Sequence, residues 1–387
     1  MLVNELLNEQ IMDQQTKVLL LIPHLGGGGA EKVMALLARQ LSSHKYELHL
    51  GVVSGSEPLP QSDFPNLKLH MLRAPRVRSA AFRILTLVRR IKPHVLLSGM
   101  FHLNFMVLLL RPLFPRSTRV LIRQNGFVSA SLAFDRLPAS TRLFYRLLYP
   151  RANRVICQTQ AMADDLVQTL KLNPNRMVVL HNPIDVDALR ASQEHGSDRW
   201  TSDNRTGSGP HLLAIGRLSS EKGFDLLLEA FASVQQHFPE ARLIVAGAGL
   251  EETRLKAQCS NLGLAHTVTF PGRVENLSVY FADATLFVLS SRHEGMPNAL
   301  LEAAACDLPI VALPAAGGVA DLLRNQPGVW LANEISSTAL AATLLQALTA
   351  FQPGQRYTHA FLEPFKMPHA IQAYEQLIDA MIHERQP

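Results

Sequence analysis

At 387 residues the chain is long for one ordinary domain and comfortable for two, each with its own core. With 47% apolar and 18% charged residues it is not a disordered chain, and no run approaches the ~18 uncharged apolar residues of a membrane-spanning helix. The net charge of +5 hides an asymmetry: residues 1–190 hold 24 Lys and Arg against 12 Asp and Glu, and the remainder holds 13 against 20.

A basic half of this kind faces something anionic: nucleic acid, a phospholipid surface or a lipid diphosphate. Glu5, Glu9 and Asp13 precede any Lys or Arg, the reverse of a secretory leader, so a cytoplasmic location is expected, with the inner membrane face as the surface to visit. Cys157, Cys259 and Cys306 are odd in number and far apart, which suits three reduced thiols and neither a disulfide framework nor a zinc site.

In chain order, Lys17–Pro23 (KVLLLIP) reads as a strand buried on both faces. The glycine run Gly26–Gly29 follows, then a helix over Ala30–Leu41. Strands are expected at Tyr46–Val53, His94–Ser98, Arg119–Arg123, Arg154–Gln158 and Met177–His181, with helices at Ala80–Ile91 and Ala161–Lys171. The apolar run Val95–Leu110 reads as a strand and a packed helix. Such alternation means βαβ units and a parallel sheet. Residues 191–210 are polar and rich in Ser, Gly and Asp, and read as a linker. From His211 a second series begins: strands at 211–216, 241–247, 267–272, 286–290 and 309–313, with helices at 224–238, 251–263, 276–284 and 296–306. The expected fold is α/β, with domains over 1–190 and from 211 onward. Two such domains place a cleft at the carboxyl ends of their strands.

Three blocks carry chemistry. The glycine run sits between a strand and a helix start, where backbone amides can approach a diphosphate; a flexible turn is the alternative. It lacks the glycine spacing of a nicotinamide site and the Gly-Lys-Ser/Thr of a P-loop. Gly216-Arg217-Leu218 and Glu221-Lys222-Gly223 follow the strand 211–216, so Arg217 and Lys222 stand at a strand's carboxyl end, where two cations can neutralise a leaving diphosphate. Ser290–Ala303 contains Glu294 in a loop and Glu302 in the helix that follows, with backbone amides of Gly295, Met296 and Asn298 around Pro297, which suits the first helical turn. Paired carboxylates can hold sugar hydroxyls, or serve as acid and nucleophile of a hydrolase. Separately, Arg73–Lys92 mixes Phe82, Ile84, Leu85, Leu87 and Val88 with seven cations. It suits either an interfacial helix on a membrane or a basic helix packed on the sheet.

Taken together, these blocks resemble the retaining glycosyltransferases of family 4, which have the GT-B architecture of two Rossmann-like domains facing a cleft. The resemblance runs from Lys17 to about Ile378. It rests on GGAE (Gly28–Glu31), NPID (Asn182–Asp185), GRLSSEKG (Gly216–Gly223), AGAG (Ala246–Gly249) and Glu294 with Glu302, all in the family's order. The resemblance implies that Arg217 and Lys222 hold the donor diphosphate, Glu302 the donor ribose and Glu294 the transferred sugar. It implies that Gly28 and Gly29 approach from the first domain, and that 270–274, with Arg273 and Val274, seats the base. Asn182-Pro183 would lie near a hinge, and a last helix over 367–383 would return to the first domain, leaving 211–366 as the donor domain. A nucleotide sugar, with UDP the commoner base, would be a substrate; no cofactor and no metal are implied.

Where many relatives carry a His, this chain has Arg123-Gln124-Asn125-Gly126. Arg123, Asn125 and His102 are therefore acceptor-side candidates, His102 either cleft-facing or, preferably, buried or capping. The acceptor implied is lipid-linked or a surface glycan, with an anionic membrane as a partner of the basic domain. A sugar-nucleotide 2-epimerase of the same architecture is the alternative. Nucleic-acid binding is disfavoured, since the basic half holds no aromatic RNA-binding motif, zinc finger or helix-turn-helix pattern.

Overall fold

The computed structural model describes residues 15–26, 29–55, 67–129, 132, 139–194, 209–274, 276–350, 352 and 354–384. The chain divides into two compact units, one of residues 1–183 with 368–387 and one of 184–367. The N-terminal charge pattern, Gly28 and most of the expected linker (195–208) lie outside the described residues. The start of that linker is helical, within the helix Val186–Glu194.

The first unit is built on β1 (Thr16–Ile22), β2 (Tyr46–Val52), β3 (Leu67–Met71), β4 (Val95–Ser98), β5 (Arg119–Arg123), β6 (Arg154–Cys157) and β7 (Met177–Val179). All pairs are parallel, in the order β3-β2-β1-β4-β5-β6-β7. The uninterrupted apolar run of β1 is explained by its central place: Val18 to Ile22 have no exposed surface. Helices α1 (Gly29–Gln40), α2 (Ala81–Ile91), α3 (Phe101–Leu110), α4 (Ala139–Leu148) and α5 (Gln160–Leu170) cover the sheet. One core joins Ile84, Leu87 and Val88 of α2, Leu103 and Val107 of α3, Tyr145 and Leu148 of α4 and Leu166 of α5. Each large side chain so buried contributes roughly 1.5–3 kcal/mol. The apolar stripe of α2 therefore faces the sheet, which settles the Arg73–Lys92 alternative in favour of a packed basic helix; Phe82 alone of its named apolar set is strongly exposed.

Helix α13 (Met367–His383) packs on this unit. It buries Tyr374, Ile378 and Met381, and its Asp379 accepts a hydrogen bond from Tyr46 at 2.6 Å. Ser42 donates its backbone N–H to Glu375 at 2.9 Å.

The second unit contains β8 (His211–Ile215), β9 (Arg242–Ala246), β10 (Val268–Thr269), β11 (Leu286–Leu289), β12 (Ile310–Ala312) and β13 (Val329–Leu331), all parallel in the order β10-β9-β8-β11-β12-β13. Around them lie α6 (Val186–Glu194), α7 (Phe224–His237), α8 (Glu252–Asn261), α9 (Ser278–Asp283), α10 (Asn298–Ala305), α11 (Val319–Leu323) and α12 (Ser337–Ala350). Strand residues alternate between two cores. Leu212, Leu243 and Val245 pack with α7 and α12, while Leu213, Ile244 and Ala246 pack with α9 and α10.

Both sheets therefore follow the doubly wound order, the first extended by β7. The order reverses between β1 and β4 in one unit and between β8 and β11 in the other. Ligands of such sheets bind at the carboxyl ends of the strands flanking that reversal.

Candidate active site

The loop after β8 is packed backbone against backbone. Gly216 donates to the carbonyl of Ala246 at 3.0 Å and Leu218 to that of Ala248 at 3.1 Å. This approach leaves no room for side chains: a Cβ on Gly247 would lie 1.8 Å from the Gly216 oxygen, and one on Gly249 would lie 2.2 Å from the Leu218 oxygen. The AGAG block thus shapes the cationic loop. Gly272, in the segment expected to seat a base, accepts from the Gly247 amide at 2.8 Å, which ties that segment to the same strand ends. Arg273 beside it is exposed, and Val274 packs into the core around α9 and α10.

The loop after β11 grips the same cationic loop from the other side. Ser290 donates Oγ to the Lys222 carbonyl at 2.9 Å, and Arg292 donates its amide to the Glu221 carbonyl at 2.8 Å. The Arg292 guanidinium forks onto Asp225 at 2.8 and 2.7 Å and also reaches the Ser220 carbonyl at 2.7 Å. Burial opposes the charge on Asp225, but the Arg292 hydrogen bonds and charge outweigh it and hold the carboxyl below its usual range. The same hydrogen bonds push the Arg292 guanidinium up. Gly223 takes a left-handed φ of 63°, and a Cβ there would lie 2.0 Å from the Ser290 oxygen.

What these contacts achieve is one ion pair. Lys222 Nζ lies 2.5 Å from Glu294 Oε1, and Ser291 Oγ donates to the same oxygen at 2.6 Å. Glu294 is 8% exposed and the Lys222 side chain 21%. The loop after β12 fixes the Glu294 backbone, since Ala316 accepts its amide at 2.9 Å. Lys222 and Glu294 are thus held together astride the β8–β11 reversal. Arg217 is exposed on the same loop. Glu221 keeps its carboxyl below the usual range: burial works against this, and the Ser219 hydrogen bond with the charges of Arg217 and Lys222 prevails.

Helix α10 begins at Asn298, four residues beyond Glu294. Pro297 is its N-cap, Met296 is buried beneath it, Gly295 and Asn298 are half-buried, and Glu302 stands half-buried one turn beyond Asn298. Burial, with the charge of Glu302 nearby, pushes the Cys306 thiol up to about 12, which leaves it an inert core group.

In the first unit, Gly29 opens α1, and buried Glu31 lies 3.6 Å from His24. His102 is exposed on the first turn of α3, edge-on to Phe101 with ring centroids 5.0 Å apart; it neither caps the helix nor enters the core, contrary to the preferred expectation. Arg123 has no exposed surface and donates to Asn125 and Asn182. It is a fastening between β5 and the end of the first unit, and it offers no acceptor-facing group. Asn125 is half-buried, accepts from Gln158 at 3.2 Å and donates to the Gly99 carbonyl. The Ser290–Ala303 block of the sequence contained Ser291 and Arg292 with no role for either, and Asp225 was missed. The KGFD run marks a helix start, but nothing local marks its partner 67 positions on.

Among the described residues, no group of three or more His, Cys, Asp or Glu is arranged to hold a metal ion. None of the described helices is long and apolar enough to cross a membrane.

Comparison with known proteins agrees with this geometry. Residues 27–188 match the model of Glycosyltransferase Family 4, and residues 198–356 match that of Glycosyl transferases group 1. A Campylobacter jejuni protein, N-acetylgalactosamine-N,N'-diacetylbacillosaminyl-diphospho-undecaprenol 4-alpha-N-acetylgalactosaminyltransferase, is 26% identical over 80% of this chain and 84% of its own. The amylovoran biosynthesis glycosyltransferase AmsD of Erwinia amylovora is 24% identical over 89% and 93%. Among solved structures, Anabaena HepE with UDP and glucose superposes at a TM-score of 0.75, with 17% identity, over 95% of this chain and 100% of that one. The two family models together span most of the chain, one per sheet, and the chain belongs to glycosyltransferase family 4: a glycosyltransferase of the GT-B fold acting in glycan biosynthesis.

Proposed function

We propose that the protein is a retaining, metal-independent hexosyltransferase that moves a sugar from a nucleotide diphosphate donor, a UDP-sugar, to a lipid-linked or surface-glycan acceptor, with no cofactor. The observation that carries this reading is the Lys222–Glu294 pair, held at a sheet reversal by hydrogen bonds between two loops. In the reaction the bond from the anomeric carbon to the β-phosphate oxygen breaks, the acceptor oxygen bonds to that carbon on the face the phosphate leaves, and the acceptor hydroxyl's proton passes to the departing phosphate. Lys222 and Arg217 stabilise the negative charge that gathers on the departing diphosphate. Glu294 accepts from hydroxyls of the sugar, and Glu302 accepts from the ribose. Amides of Gly295, Met296 and Asn298 add donors at a helix start. Arg273 and Val274 border the base. His102 and Asn125 remain acceptor-side candidates.

A UDP donor is supported by the fold's occurrence in HepE with UDP and glucose. A lipid-diphosphate acceptor is supported by the name of the Campylobacter relative and by the basic first half of the chain, for which an anionic membrane is the matching partner and nucleic acid is not. A thermal-shift screen of nucleotide sugars tests the donor. The right one at 100 times its Kd adds about 2.7 kcal/mol of stability, and a protein indifferent to every nucleotide sugar would remove the reading.

A further inference from the structure

The sequence left 73–92 open between an interfacial helix and a packed basic one, and the structure turns the apolar stripe of that helix inward. The exposed apolar surface lies elsewhere. Among the described residues of the first unit, the exposed large hydrophobics are Phe82, Leu109, Leu113, Leu143, Phe144 and Leu147. All six fall on α2, α3 with the turn that follows it, and α4. Helix α4 buries Tyr145 and Leu148 and presents Leu143, Phe144 and Leu147 to solvent at 56%, 55% and 58% exposure, alongside exposed Arg142 and Arg146. One turn past Leu147, Arg151 donates to the Leu108 carbonyl at 3.3 Å, which brings α4 against the end of α3 that carries Leu109. Residues 64–163 contain 17 Lys and Arg and a single acid, Asp135.

We propose that this face, α4 with the end of α3, docks on an anionic lipid surface. The inference deepens the lipid-linked acceptor reading and rests on it. Protein interfaces deplete charge at their cores, whereas here Arg142 and Arg146 form a stripe beside Leu143, Phe144 and Leu147 on the exposed surface of one helix. That mixture suits the headgroup boundary, where apolar side chains sink into acyl chains and guanidinium groups stay among phosphates.

The test is sedimentation of the full chain with vesicles of phosphatidylcholine, with and without phosphatidylglycerol. The protein pellets with the anionic vesicles and stays in solution with the neutral ones. Phe144→Ser with Leu147→Ser lowers partitioning about tenfold or more, from the apolar surface lost. Arg142→Gln and Arg146→Gln each lower it about fivefold and flatten its salt dependence. Leu262→Ser, on an exposed site of the second unit, changes nothing. These positions are exposed, and circular dichroism checks that the variants fold. Failure to bind anionic vesicles, or binding that survives the Phe144 and Leu147 changes, overturns the proposal. So does a wild-type dimer that the same changes make monomeric, which would assign the face to a second copy. Vesicle binding without stabilisation by any nucleotide sugar would sink the transfer reading and leave the docking surface standing; the converse would sink the docking surface alone.

Discussion

Replacing Lys222 by Met is expected to lower kcat for sugar transfer by about 10²–10³, the usual cost of one preorganised group facing developing charge. The reason lies in the geometry. Lys222 is gripped through its own carbonyl by Ser290 and through its neighbours by Arg292, so its ammonium needs little reorganisation to meet a leaving diphosphate. The substitution also removes the counter-charge of the Glu294 carboxylate and leaves it the Ser291 hydroxyl, which costs stability because that carboxylate is nearly buried. Pairing Lys222→Met with Glu294→Gln separates the two effects. The double variant recovers stability and stays inactive. Full transfer activity in Lys222→Met would remove Lys222 from the chemistry.

Gly247→Ala is expected to destabilise the second unit by about 4 kcal/mol or more, placing it among the most damaging single substitutions. Gly247 has a φ of 146°, a conformation open mainly to glycine, and the added Cβ would lie 1.8 Å from the Gly216 carbonyl oxygen. That oxygen belongs to backbone fixed by β8, so nothing flexible can yield. Gly272 is the control. Its φ is 74°, yet a Cβ there meets nothing within 4 Å, so Gly272→Ala should cost only the left-handed strain of about 1–2 kcal/mol. Urea midpoints of the two variants decide the point, and equal midpoints would mean that the close packing of the AGAG block against the cationic loop is not as described.

The parallel sheets were legible because strands buried on both faces read as apolar runs, as in Val18–Ile22 and Leu286–Leu289. Strand β3 was not, because Leu67–Met71 places Lys68 and His70 on an edge, and the short β13 carries little pattern of its own. Helix α4 escaped because its outward Leu143, Phe144 and Leu147 blur the amphipathic spacing that marks a soluble helix. At the site, Lys222 and Glu294 were each identifiable from their place at a strand end. Their contact was not, since it depends on β8 and β11 being neighbours in the sheet, a long-range fact. Arg123 misled for a different reason. The resemblance marked its place, where many relatives carry a His, and only the fold reveals that Arg123 is buried and donates to Asn125 and Asn182.

The most direct measurement is acceptor-dependent release of nucleoside diphosphate by protein stripped with EDTA. With side-chain cations stabilising the leaving group, release proceeds at the untreated rate, and added magnesium or manganese changes it little. A stripped protein that is inert until one of those ions is restored would contradict the central claim, whatever the fold.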